Sequence, residues 1–88
     1  MKVEFKQSFL TDLEKVRHES ILGKIREEIE LAEKATNLQE LHSIKKLRGG
    51  KGYYRIRIGD YHLGLVVEEA TIIFIRCLHR KDIYRYFP

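Results

Sequence analysis

The chain has 88 residues, of which 43% are apolar and 34% charged, with a net charge of +4, one proline and one cysteine. A chain of this length buries only about 60 to 65% of the surface its unfolded state exposes, so it reads as one domain over residues 1–88 with a thin, two-layered core. This composition excludes a disordered chain and an internal disulfide framework, and no stretch approaches the roughly 18 uninterrupted apolar residues of a membrane span.

The opening "MKVEFKQSF" lacks the apolar run of a signal peptide, which makes the cytoplasm the expected compartment, and its "KVEFK" alternates as a half-buried strand does. From Ser8, a candidate cap, Phe9, Leu10, Leu13 and Val16 recur at helical spacing, and after Glu19 and Ser20 the series Ile21, Leu22, Ile25, Ile29 and Ala32 repeats the pattern. Two amphipathic helices in a hairpin follow from this. In the connection "ATNLQELHSIKKLRGGKG", Leu38, Leu41, Ile44 and Leu47 are spaced to anchor a last half-helical stretch. Three strands are then expected: "YYRIRI", "YHLGLVVE" and "TIIFIRCLH".

Gly59 and Asp60 form a two-residue loop between the first two strands, which sets Ile58 opposite Tyr61, Arg57 opposite His62, Ile56 opposite Leu63, Arg55 opposite Gly64 and Tyr54 opposite Leu65. For the third strand, a three-residue loop of Glu69, Ala70 and Thr71 pairs Val67 with Ile73, Leu65 with Ile75 and Gly64 with Arg76. Ile73, Ile75 and Cys77 then enter the core, because the sequence offers Arg76 no buried partner on the apolar side. Arg55, Gly64 and Arg76 form one row, with the glycine leaving an open saddle between two guanidinium groups. The expected fold class is α+β: an N-terminal strand, a two-helix hairpin, a three-stranded antiparallel meander completing a twisted sheet, and a short C-terminal turn or helix.

Charge is unevenly placed along this plan. Residues 1–44 hold seven Lys and Arg against nine Asp and Glu, whereas residues 45–88 hold ten against four. A polyanionic partner for the C-terminal half is one reading and a solubilising basic face the other. "RGGKG" lacks the GxxxxGK[ST] pattern between strand and helix that cradles a nucleotide triphosphate, and a plain turn is its simplest reading. His18, His42, His62 and His79 have no ligand spacing beside a lone cysteine, and the basic face has no paired carboxylates, so no metal or other cofactor is expected.

What remains is Arg55, Arg57, His62 and Arg76, followed by the tail "LHRKDIYRYFP". Guanidinium forks match phosphate oxygens and stabilise a pentacoordinate transition state. Neighbouring cations should lower the pKa of His62 and favour its neutral form, while Tyr84 and Tyr86 offer faces on which a base can stack. Single-stranded RNA fits this set. An acidic peptide fits it as well.

The order of these pieces, with "KLRG", "YRIRIGDYH" and "HRKDIYR", resembles the RelE/ParE toxin superfamily of bacterial toxin-antitoxin modules over essentially the whole chain, and more closely its ribonuclease branch. The resemblance implies a RelE-like fold and a toxin that cuts messenger RNA, typically in the ribosomal decoding site. It implies no metal: the RNA's own 2′-hydroxyl attacks the adjacent phosphate and leaves a cyclic phosphate. Carried onto this chain, Arg55 and Arg57 bind and orient phosphate, Arg80 assists the leaving oxygen and Tyr84 stacks or hydrogen bonds near the scissile step. Arg48, Lys51, Arg76, Lys81 and Arg85 complete an RNA-binding surface. His62 departs from the pattern, which has arginine there; a weakened phosphate site and a histidine base are both open. In the ParE branch the same scaffold acts on DNA gyrase and the catalytic set is largely absent. The implied partners are mRNA, the ribosome and an acidic, partly disordered antitoxin in a hetero-oligomer.

Overall fold

The computed structural model describes residues 1–48 and 52–88. Its elements run β1 (Lys2–Phe5), α1 (Gln7–Glu14), α2 (Glu19–Lys34), a single 3₁₀ turn (Leu38–Glu40), β2 (Ile44–Lys46), β3 (Tyr53–Ile58), β4 (Tyr61–Glu68), β5 (Thr71–His79) and α3 (Ile83–Tyr86). The five strands form one sheet in the order β1-β5-β4-β3-β2. The first strand lies parallel to β5, from Lys2 beside Thr71 to Phe5 beside Phe74, and all other neighbours are antiparallel. The class is the expected α+β.

Packing follows the helical spacing. Phe9 of α1, Val16 in the connection that follows it, and Ile25 and Ala32 of α2 are buried with Ile56, Ile58, Leu63, Leu65, Ile72, Phe74 and Cys77 of the sheet. Phe9 lies 5.3 Å from the Phe74 ring and 5.8 Å from Phe5, an aromatic group that ties β1 and α1 to β5. Each fully buried side chain of this kind contributes about 1.5 to 3 kcal/mol. The amino terminus donates to the carbonyls of Ala32, Glu33 and Ala35, which satisfies and charge-complements the end of α2.

The hairpin β3–β4 has the predicted register residue for residue, from Tyr54 opposite Leu65 to Ile58 opposite Tyr61. The turn needs left-handed backbone only at Gly59, whose φ is 57°. The next hairpin differs. Its loop holds two residues, Glu69 and Ala70, at φ 46° and 62°, so Glu68 faces Thr71 and Val67 faces Ile72 rather than Ile73. Neither residue is a glycine or asparagine, so turn chemistry did not announce so short a loop. Gly64 nonetheless faces Arg76 as expected, because a β-bulge absorbs the offset: Leu65 faces Phe74, and Ile75 is the extra residue. Beyond the bulge Cys77 enters the core as predicted, but Ile72 and Phe74 replace Ile73 and Ile75, which are only half-buried. The connection differs too. Only Leu38–Glu40 are helical, and Ile44–Lys46 form an edge strand opposite Ile56, Arg55 and Tyr54.

Two more corrections come from side chains distant in sequence. Arg76 does have a buried partner: Asp12 of α1, 6% exposed, takes Nε at 2.8 Å and Nη2 at 3.1 Å, and also accepts from the Cys77 backbone N–H at 2.9 Å. With Ser8 Oγ donating to the Ile75 carbonyl, this pair satisfies the stretch of β5 that β1 does not reach. The thiol of Cys77, pressed by burial and then by the Asp12 charge, is pushed up to about 12 and is inert at neutral pH. The saddle at Gly64 is also filled. The tail crosses the sheet face opposite the helices, buries Ile83 and Phe87, and sets the Phe87 ring edge-on to Tyr53 at 5.6 Å. A Cβ at Gly64 would lie 2.7 Å from that ring, so only glycine admits it.

Asp12→Ala strands a charged Arg76 and an unpaired Cys77 N–H, and should cost about 2 to 4 kcal/mol in urea unfolding. Gly64→Ala forces Phe87 to shift; the expected result is a loss of about 1 to 3 kcal/mol together with faster proteolytic trimming of the last residues. An unchanged trimming rate would show that the ring can move without lifting the tail.

Candidate RNA-binding site

The face away from the helices presents Tyr53, Arg55 and Arg57 from β3 and His62, Gly64 and Val66 from β4, with Arg57 opposite His62 and Arg55 opposite Gly64. Alternation on an uninterrupted pair of strands puts the two arginines on one side, as the sequence pattern requires. The tail then divides this face. Phe87 covers the Gly64 end, while the exposed Tyr84 stands over His62, ring edge to ring face, with centroids 6.0 Å apart.

A groove of about 380 Å³ runs between β2, β3 and the tail. It is lined by Lys45, Lys46, Leu47, Arg48, Arg55, Tyr84 and Pro88, with no Asp or Glu side chain among the described residues that line it. Four cations around one aromatic ring suit an anionic chain that carries stackable bases. The helical connection expected from the sequence hides Lys45 and Lys46, which the structure places on the edge strand β2. Their signal was the alternation of Ile44 with Lys45, which as strand residues face Ile56 and Arg55.

His62 is buried, 6% exposed, and its Nδ1 has no hydrogen-bond partner among the described residues. The Nε of Arg55 is likewise buried and unpartnered. The imidazole pKa is lowered from the ordinary 6.5, first by burial and then by the charges of Arg55, Arg57 and His79. The cations expected from the sequence are there, but burial under the tail leads. The ring is therefore neutral at pH 7.

Other predicted site residues are placed differently. Arg76 is tied to Asp12 on the far edge of the sheet and does not belong to the groove. Arg80 sits at the Gly59–Asp60 turn: its N–H donates to the Asp60 carbonyl at 2.7 Å, and Nε lies 3.7 Å from Asp60 Oδ1. Both side chains are about 60% exposed or more, so this contact is loose and easily exchanged for another anion. Lys81 and Arg85 are exposed outside the groove, and the Arg85 guanidinium lies over its neighbour Tyr86 at 5.4 Å. Lys51, with Gly49 and Gly50, lies outside the described residues. His79 is half-buried, and its Nδ1 accepts from the Lys81 N–H at 3.2 Å. No helix of the described residues is long and apolar enough to cross a membrane.

Comparisons with known proteins agree with this architecture. The family model described as the ParE toxin of the type II toxin-antitoxin system, parDE, matches residues 3–84. The toxin RelE3 of Methanocaldococcus jannaschii is 46% identical over the full length of both chains. Among solved structures, a RelB-RelE antitoxin-toxin complex from Methanococcus jannaschii superimposes with a TM-score of 0.83 at 44% identity, covering 97% of this chain and 99% of that one. An archaeal RelE-RelB complex from Pyrococcus horikoshii shares the fold at a TM-score of 0.72 and 20% identity, over 93% of this chain and 97% of the other. The chain belongs to the RelE/ParE toxin superfamily and is the toxin of a type II toxin-antitoxin system.

Proposed function

We propose that this toxin is an endoribonuclease that cuts messenger RNA, acting in the ribosome. The observation that carries the reading is the groove itself: cations and an exposed aromatic ring along an arginine-bearing strand, with no Asp or Glu side chain among its described lining residues to repel a phosphate. The full-length likeness to a RelE toxin supports the ribonuclease branch.

The chemistry needs no cofactor. The 2′-hydroxyl oxygen forms a bond to the adjacent phosphorus, the bond from phosphorus to the 5′-oxygen breaks, and the proton lost by the first oxygen is gained by the second. Arg55 and Arg57 hold the phosphate and balance the added charge of the pentacoordinate state. Arg80, released from Asp60, stabilises the 5′-oxygen as it leaves. Tyr84 holds a base by stacking. Lys45, Lys46 and Arg48 carry the flanking backbone.

The partner that silences such a toxin is an acidic antitoxin, in line with the antitoxin-bound states of the relatives, and it would cover the positive half of the chain. The family model's ParE description favours a second reading, a toxin directed at DNA gyrase. The two differ in outcome: expression gives DNA damage in one case and message loss in the other.

Adding the purified protein to a translating extract and mapping message ends tests the proposal directly. Cleavage within translated messages is expected, and Arg80→Ala should slow it by about 10² to 10³. Unchanged cleavage by that variant, or intact messages on active ribosomes, ends the reading. Binding to single-stranded RNA should weaken with salt at about −0.7 per neutralised phosphate, and Lys45→Ala should reduce the slope by about that amount.

A further inference from the structure

His62 occupies a position at which its protonation state depends on what lies on the neighbouring strand. The groups facing it are Arg57 directly opposite and Arg55 diagonally on β3, Leu78 opposite and His79 beside it on β5, and the Tyr84 ring from α3. None of these side chains carries a negative charge at neutral pH. The Asp12 side chain is engaged with Arg76 and that of Asp60 lies beside Arg80, while Pro88 shares the groove lined by Arg55 and Tyr84. A proton added to the free protein would therefore place a third positive charge next to two guanidinium groups, on a ring that is 6% exposed and whose Nδ1 has no partner.

A phosphate on Arg55 and Arg57 reverses that balance. It neutralises the charges that oppose protonation and sets an anion within the same poorly solvated region, where opposite charge favours the charged form. Resting on the RNA-binding reading above, we propose that single-stranded RNA binds the Arg55–Arg57 face together with a proton on His62, so that the imidazolium acts as a third phosphate-holding cation and not as a base.

Linkage fixes the sign. In the free protein the pKa lies below 6.5, and phosphate raises it in the complex. Above the bound-state value neither form is protonated and affinity is independent of pH. Between the two values, binding takes up one proton and affinity rises as pH falls, by at most about tenfold per pH unit. Below the free-state value both forms are charged and affinity levels off. A catalytic base shows the opposite trend, since it fails as pH falls.

The test is calorimetric titration of the protein with a 2′-O-methyl oligouridylate, which cannot be cleaved and has no group titrating near neutral pH. At fixed ionic strength near pH 6.5, two buffers of different ionisation enthalpy give the number of protons taken up. The wild type should take up a fraction approaching one proton and bind up to about tenfold tighter per unit of falling pH. His62→Arg should bind without uptake, at an affinity that no longer follows pH, and His62→Phe should bind weakly and also without uptake. Tight wild-type binding with no uptake, or uptake that persists in His62→Arg, overturns the proton coupling while leaving RNA binding intact. No binding by any of the three proteins at any pH overturns the RNA reading and this proposal with it.

Discussion

The strand β4 is buried on both faces. Leu63 and Leu65 lie under the helices, while His62, Gly64 and Val66 lie on the side crossed by the tail. A sheet of five strands could leave its second face to solvent, as antiparallel sheets commonly do. Here a tail of a few residues closes the middle of that face by driving Phe87 into the space a side chain at Gly64 would need. The basic residues of this face lie at the margins of this plug. One margin is the groove beside β2, another is the row of Arg57 and His62, and the third is the far edge where Arg76 meets Asp12.

Desolvation sorts these cations into two kinds. Arg76 is fixed by a bidentate carboxylate that also holds a backbone N–H, a geometry that secures β5 to α1 and withdraws the charge from any ligand. Arg55 and Arg57 have no such partner among the described residues, and the buried Nε of Arg55 makes no hydrogen bond at all. A buried donor without an acceptor is costly, and proteins retain few of them. On the RNA-binding reading proposed above, a bound phosphate would supply the acceptor that the Nε of Arg55 lacks.

Local rules reached far into this structure and failed at identifiable points. The register of β3 and β4 was legible because Gly59 and Asp60 allow one tight turn and because alternation of Ile56 and Ile58 with Arg55 and Arg57 admits a single pairing. Gly64 opposite Arg76 was legible, but the pairing of β5 before the bulge was not, since a positive-φ turn at Glu69 and Ala70 has no compositional signature and the bulge at Ile75 restores parity only after shifting it. The short strand Ile44–Lys46 escaped for want of length. The ion pair of Arg76 escaped because its partner lies 64 residues away, on a helix face where Asp12 looked like any other acid. In the site, residue types were legible and burial was not: nothing in "YRIRIGDYHLG" says that Phe87 and Tyr84 return to cover Gly64 and His62.

The tail's position also bears on why a histidine is tolerated where the resemblance leads one to expect arginine. A guanidinium held at that depth, with Arg55 and Arg57 alongside, would have to stay charged in the free protein and bear the full cost of desolvation and repulsion. An imidazole can discard its proton and become a weakly polar ring that packs edge-on to Tyr84. The plug over Gly64 and the neutral ring at His62 are thus compatible in one folded state. A permanent cation would call for a more open face, with a tail less tightly seated.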